Sequence, residues 1–154
     1  MKIRQAVVDD FEAIRELWFE FEAHLGSLEA PKTVDPDDFE VMRSLAFSDL
    51  PTCHFLVAET DAGKLAGYLT YFVGVHTDEL ARSIHVDDLF VRAEHRGSGL
   101  GRALMEQIRM YAKTIGATRL FWTVWQKNKA AQEFYAKLGA EPFEEEILMS
   151  WKVE

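Results

Sequence analysis

The sequence predicts an α/β fold, a mixed sheet with helices on both faces. Three observations support this. Short runs rich in β-branched and aromatic residues alternate with stretches whose apolar residues recur every three or four positions. Glycine, proline and asparagine mark the joins, at Gly26, Pro51, Gly63, Gly116, Asn128 and Gly139. The element order that results is β-α-α-β-β-β-α-β-α-β.

Residues 2–6 read as a short strand. Asp9 can cap a helix reaching about His24, with Phe11, Ile14, Leu17, Trp18, Phe21 and Leu25 on one stripe. Gly26 ends it, and residues 30–36 form a loop. Asp35 or Pro36 opens a second helix that runs to about Phe47, and Pro51 marks the next break. Residues 53–60 and 64–75 read as two strands around the turn Asp61-Ala62-Gly63, a hairpin signal. A polar loop, 77–82, precedes a strand at 83–91. The third helix runs from Gly99 to about Ile115, with Leu100, Leu104, Ile108, Tyr111 and Ile115 inward and Gly116 as its stop. Residues 118–125 give a further strand, Asn128 caps a fourth helix closed by Gly139, and residues 147–153 supply a last strand. With no repeats, low-complexity tracts or linkers, the 154 residues are expected to form one domain, 1–154.

Composition narrows the function classes. Hydrophobic residues at 48% and charged residues at 28% are ordinary for a soluble globular protein. A net charge of −9 argues against non-specific nucleic-acid binding, which wants a basic face, and suits a cationic substrate. Cys53 is the only cysteine and lies in the apolar run Cys53-His54-Phe55-Leu56-Val57, where it reads as core filler. The first residues lack the apolar core of a signal peptide, and residues 65–75 are too short to span a bilayer, so a cytoplasmic location is expected. The histidines show no metal-ligand spacing; His85-Val86-Asp87 reads as strand polarity, and no metal is expected.

The most informative stretch is Arg96-Gly97-Ser98-Gly99-Leu100-Gly101-Arg102, between a strand ending Leu89-Phe90-Val91 and a strongly periodic helix. Its glycines let the backbone turn sharply and present consecutive N–H groups. The helix N-terminus adds its own unpaired donors and the positive end of its dipole. Together they form an anion site sized for phosphate or pyrophosphate, flanked by Arg96 and Arg102. A Walker loop needs Gly-Lys before Ser or Thr, but Gly101 is followed by Arg102-Ala103. A dinucleotide fingerprint needs a glycine three positions after Gly99, where Arg102 stands.

The R-x-x-G-x-G pattern at Arg96–Gly101, placed between strand and helix, resembles the acetyl-coenzyme A signature of the GNAT N-acetyltransferases. The likeness within that family is greatest to the diamine (spermidine/spermine) N-acetyltransferase group. It is carried by His85-Val86-Asp87-Asp88-Leu89-Phe90-Val91, the Arg96 loop, Asn128, Phe134-Tyr135 and Leu138-Gly139-Ala140. The resemblance implies the GNAT fold, a mixed central sheet of six to seven strands with four helices, and acetyl-coenzyme A as acyl donor. It further implies that the main chain of Leu89, Phe90 and Val91 pairs with the pantetheine arm like an added strand. Arg96, Gly97, Ser98, Gly99, Leu100, Gly101 and Arg102 would hold the pyrophosphate, and Asn128 would touch the cofactor's other side. Tyr135 matches the family's proton donor to the departing thiolate, and Asp87 and Asp88 fall where the diamine group binds its amine. A homodimer is also implied. This chain differs in having Asp-Asp where the group usually has Glu-Asp, and Lys127 where a Trp commonly precedes the asparagine.

These implications meet simpler readings of the same residues. In a regular strand Asp87 and Asp88 point to opposite faces, so both reach one site only if the strand is bulged or splayed there. Otherwise one is solvated and the other is satisfied by a backbone or arginine partner. Ala131, Phe134, Tyr135 and Leu138 make one apolar helix face, so a packed core tyrosine also explains Tyr135. Trp122 and Trp125 fit either a pocket wall or the core, and Glu144-Glu145-Glu146 reads as a solvated turn. The expected function is acetyl transfer to a primary amine of a small molecule, a polyamine, a diamine or a lysine-like amino acid, by direct attack. Asp87 and Tyr135 are the expected catalytic groups. The alternatives are acetylation of a peptide N-terminus or an aminoglycoside, and a non-catalytic acyl-coenzyme A sensor.

Overall fold

A computed structural model describes residues 1–28, 35–144 and 146–153. The chain divides into two compact units, residues 1–123 and 124–154. The first carries β1 (Lys2–Gln5), α1 (Phe11–Ser27), α2 (Val41–Phe47), β2 (His54–Glu59), β3 (Leu65–His76), β4 (Ala81–Val91), α3 (Leu100–Thr114) and β5 (Ala117–Phe121). The second carries α4 (Lys129–Lys137). Among the described residues no helix is long and apolar enough to cross a membrane.

The five strands form one sheet in the order β1-β2-β3-β4-β5. The first four are antiparallel neighbours, and β5 joins β4 in parallel, so the sheet is mixed as the sequence predicts. One face packs on α1, where Phe11, Ile14 and Leu17 meet Phe39, Cys53, Phe55, Val57, Leu65, Tyr68 and Phe90 in a single cluster. The expected stripe of α1 is thus present, with Trp18 and Phe21 at its margin. On the opposite face α3 buries Leu100, Leu104, Met105 and Ile108, and Tyr111 meets Tyr71 ring to ring.

Four expectations change. The last strand, 147–153, does not form: these residues have no ladder partner, and Ile147, Leu148, Met149, Trp151 and Val153 are exposed. Alternating apolar residues make a strand only where a neighbour supplies hydrogen bonds, so among the described residues the sheet has five strands rather than six to seven. The strand expected over 118–125 stops at Phe121. Asp9 does not cap α1. Asp10 precedes Phe11 instead, and its carboxylate accepts from Arg4 at 2.6 and 2.8 Å and from the Val7 N–H at 2.8 Å, tying the helix start to β1. The second helix opens as a 3-10 turn, Pro36–Glu40, and is α-helical only from Val41. The expected 30–36 loop and the Glu145 turn fall largely on residues 29–34 and 145, outside the described residues.

The β3–β4 pairing contains the feature that matters most for the site. Its register passes from Tyr71↔Val86 to Thr70↔Asp88, so Asp87 is an extra residue in β4. Such a bulge reverses which face successive side chains occupy. Before it, Ile84 and Val86 lie on the α3 face opposite Val73 and Tyr71. After it, Asp88 and Phe90 lie on the α1 face opposite Thr70 and Tyr68.

Beyond the bulge the two strands are held close at Gly67, where an added Cβ would stand 2.5 Å from the Phe90 carbonyl oxygen and 3.2 Å from the Val91 Cα. Backbone atoms cannot yield as a side-chain tip can. Gly67→Ala is therefore expected to cost about 1–3 kcal/mol, read as a lower urea midpoint at unchanged slope.

Candidate active site

The bulge at Asp87 brings both carboxylates of the Asp87-Asp88 pair to the α1 side of the sheet. In solvation they differ. Asp87 is exposed; Asp88 is half-buried between Thr70 and the Tyr68 ring. The Tyr68 hydroxyl, itself fully buried, donates to Asp88 Oδ2 at 3.4 Å. Burial pushes the Asp88 carboxyl up to about 7, assisted by the negative charges of Asp87 and of Glu22 on α1 and opposed by the Tyr68 hydrogen bond. Desolvation also raises Asp87, while His85 pulls it back. The Tyr68 phenol is held well above its ordinary range by burial and by the Asp88 charge. A carboxyl that titrates near neutrality can exchange a proton with a ligand at physiological pH.

Sequence reasoning missed Tyr68, Thr70 and Glu22 as neighbours of this pair. Thr70 is 2% exposed, and its hydroxyl has no hydrogen-bond partner among the described residues. Both β3 residues read from the sequence only as strand. Their relation to Asp88 depends on the bulge, and the alternation of Ile84 and Val86 broken at Asp88 is the one local hint of it. Cys53 is buried, and burial and the nearby Asp87 charge raise its thiol, so it is a packed core residue without nucleophilic character.

The other edge of β4 opens where β5 leaves it. Their pairing ends at His85↔Phe121, so Leu89, Phe90 and Val91 have a strand neighbour only on the β3 side. Phe90 is buried, while Leu89 and Val91 are half-buried. Unused ladder groups on an open edge can pair with an extended ligand arm. Arg96 modifies this edge: its Nε donates to the Val91 carbonyl at 2.9 Å, and its guanidinium lies 5.5 Å from the Phe90 ring centroid. That carbonyl is therefore already engaged, and the arginine is braced against the strand.

The glycine loop has the conformation expected of an anion cradle. Gly97 and Gly99 adopt left-handed backbone, with φ of 74° and 87°, and nothing lies within 4 Å of where their Cβ atoms would be. Gly99 is the residue before α3, and Ser98 Oγ donates back to the His95 carbonyl at 2.6 Å, fixing the turn. Among the described residues no backbone carbonyl accepts from the N–H groups of Gly97, Ser98, Gly99, Leu100 or Gly101. Arg102 is exposed on the first turn of the helix. This chemistry suits a diphosphate, since converging donors at a helix N-terminus favour anions without a metal ion.

Asn128 and Tyr135 belong to the 124–154 unit. The Asn128 side chain caps α4, its Oδ1 accepting from the Ala131 N–H at 3.1 Å. Tyr135 is half-buried, with its ring 5.0 Å from that of Phe134.

An open strand edge, a carboxyl pushed up to about 7 and a helix start with converging backbone donors all lie on β4 and its continuation in this α/β fold. The chain belongs to the acetyltransferase (GNAT) family, whose sequence pattern matches residues 11–140. It is 30% identical over 113 residues to a thialysine N-epsilon-acetyltransferase from Bos taurus, covering 69% of this chain and 66% of that protein. It is 29% identical over 136 residues to a D-amino-acid N-acetyltransferase from Saccharomyces cerevisiae, covering 84% of this chain and 78% of that one. The fold matches an integron cassette protein of V. cholerae with a TM-score of 0.80 at 24% identity, over 99% of this chain and 92% of the other.

The Asp88 environment has a thermodynamic signature. Its folded-state carboxyl is raised from 3.8 to about 7, so the folded protein holds that proton more tightly than the unfolded chain does. The resulting stabilisation is complete below the unfolded value and is lost as pH rises through about 7. Asp88→Asn should therefore flatten this part of the stability profile. Its gain over the unmodified protein in urea midpoint should be larger at about pH 8 than at about pH 5.

Proposed function

We propose that this chain is an acetyl-coenzyme A-dependent N-acetyltransferase whose acceptor is a small primary amine, with a side-chain amine of an amino acid as the favoured class. The observation that carries the reading is the Asp88 carboxyl, which the bulge sets half-buried against Thr70 and the Tyr68 hydroxyl beside the open edge of β4, where burial pushes it up to about 7. Two similar proteins named above for thialysine and for D-amino acids support the amino-acid class.

Acetyl-coenzyme A, when bound, supplies a thioester as acyl donor. The chain's residues supply the rest. The loop donors of Gly97–Gly101, with Arg96 and Arg102, hold the diphosphate, and the β4 edge at Leu89 and the Val91 N–H pairs with the arm, since Phe90 turns its own backbone groups to β3. An alkylammonium has a pKa of roughly 10, so about one molecule in a thousand is nucleophilic at neutral pH. Asp87 and Asp88 attract the cation, and Asp88 takes one ammonium proton, which frees the amine lone pair to attack the thioester carbonyl; as the C–S bond breaks, the second nitrogen proton leaves with the thiolate as free thiol. Passing a proton from an ammonium to an ordinary aspartate is uphill by about six pKa units, roughly 8 kcal/mol; the raised Asp88 halves that. The amine attacks directly, since the only cysteine is buried in the core. The role of Tyr135 rests on the family resemblance alone, which assigns it a hydrogen bond to the departing thiolate, stabilising the charge that develops there.

Release of free coenzyme A from acetyl-coenzyme A is expected with ornithine, lysine or thialysine in a panel that also holds putrescine, spermidine, an aminoglycoside and a short peptide. Release with none of them would contradict the proposal. Asp88→Asn should lower kcat by about 100-fold or more while acetyl-coenzyme A still binds, measured by calorimetry. Tyr135→Phe should reduce turnover more than cofactor affinity, and equal activity in that variant would remove the tyrosine from the mechanism.

A further inference from the structure

His85 is held more firmly than a solvated strand residue needs to be. Its ring stacks on Phe72 with centroids 4.8 Å apart and planes 4° from parallel, and lies 5.4 Å from the Phe121 centroid. Ser83 Oγ and His85 Nε2 share a hydrogen bond of 3.2 Å, and Ser83 is fully buried. Space for the ring exists because position 74, across the ladder, is glycine. A Cβ there would stand 3.0 Å from His85 Cδ2, 3.1 Å from Nε2 and 3.3 Å from Ser83 Oγ. The ring is therefore fixed on both faces and at one nitrogen. The remaining nitrogen, Nδ1, has no hydrogen-bond partner among the described residues, and the residue is only half-buried.

Position matters as much as rigidity. His85 lies on the α1 face, the face to which the bulge turns Asp87 and Asp88, and Asp87 feels its charge. At roughly 3.3 Å per strand residue, His85 and Asp88 are within about 10 Å of one another, a distance that an extended ornithine or lysine can bridge. Phe72 and Phe121, both half-buried, stand abreast of His85 and give that end of the line apolar walls. The exposed Asp87 carboxylate between the two ends would repel a bare acid. It would accept an α-amino acid, whose ammonium sits beside its carboxylate.

We infer that His85 determines acceptor class: its free ring nitrogen donates to the α-carboxylate of an amino-acid substrate, Asp87 faces the α-ammonium, and Asp88 takes the reacting side-chain amine. This assignment rests on the acetyltransferase reading above and adds the group that separates amino acids from diamines of the same length. A site that hydrogen-bonds a substrate group discriminates strongly against an analogue lacking it.

The test compares kcat/KM for ornithine with putrescine and for lysine with cadaverine, pairs that differ only by the carboxylate. The unmodified enzyme should prefer the amino acid in each pair. His85→Phe, which keeps a ring against Phe72 but removes the donor, should lower that preference by about tenfold or more. His85→Gln, which keeps a donor, should retain more of the preference than His85→Phe does. An unmodified enzyme that favours the diamines would overturn the inference. So would an unchanged ratio in His85→Phe, whether both rates survive or both fall together. An enzyme that acetylates none of the four compounds or the rest of the amine panel would instead refute the acetyltransferase reading, and this inference with it.

Discussion

One extra residue in β4 organises the candidate site. A regular strand would send Asp87 and Asp88 to opposite faces and would leave Asp88 on the same face as Ile84 and Val86. With Asp87 as the unpaired residue, the α3 face keeps Ile84 and Val86, and the α1 face receives both carboxylates and Phe90. The cost is an aspartate set against Tyr68, Thr70 and the charge of Glu22, and its raised pKa is the physical record of that cost.

In the proposed reaction the same strand would serve both ligands. Toward its start, β4 pairs with β5 and carries His85; toward its end, β5 has gone and the edge is open. The chain continues from that open end through Arg96 into the glycine loop and α3, so anion site and strand edge are covalently continuous. Arg92 anchors the junction, donating to the Leu65 carbonyl and to Glu20 on α1. Rigidity here follows from position: the strand that would place carrier and acceptor in the proposed reaction is paired along its whole length with β3.

Much of this was legible in the sequence because it rests on local rules. The α3 stripe, the Asp61-Ala62-Gly63 hairpin and the left-handed glycines at 97 and 99 depend on neighbours within a few residues, and the structure has all three. The use of Leu89–Val91 came only from the family resemblance, since the open edge there depends on where β5 leaves β4, a non-local property. The bulge is of the same kind. Sequence could state that the two aspartates share a site only if β4 is irregular, but whether it is depends on the register against β3, a non-local property. The roles of Tyr68 and Thr70 were hidden for the same reason. The 147–153 segment shows the converse: its alternation is strong, yet alternation specifies a face and not a partner, and the residues stay outside the sheet. Asp10 displaced Asp9 at the start of α1 because Arg4, itself bridged to Glu59 on β2 at 2.6 Å, lies within reach of it.

The account depends on the bulge having enclosed one carboxyl, and the most direct test is to titrate that carboxyl. Side-chain carboxyl resonances of aspartate followed by heteronuclear NMR in the free protein, with Asp88 assigned by its loss in the asparagine variant, would give the midpoint. A midpoint near 7 is the predicted result. A midpoint in the ordinary aspartate range, about 4, would mean that Asp88 is solvated and that β4 does not present it as described.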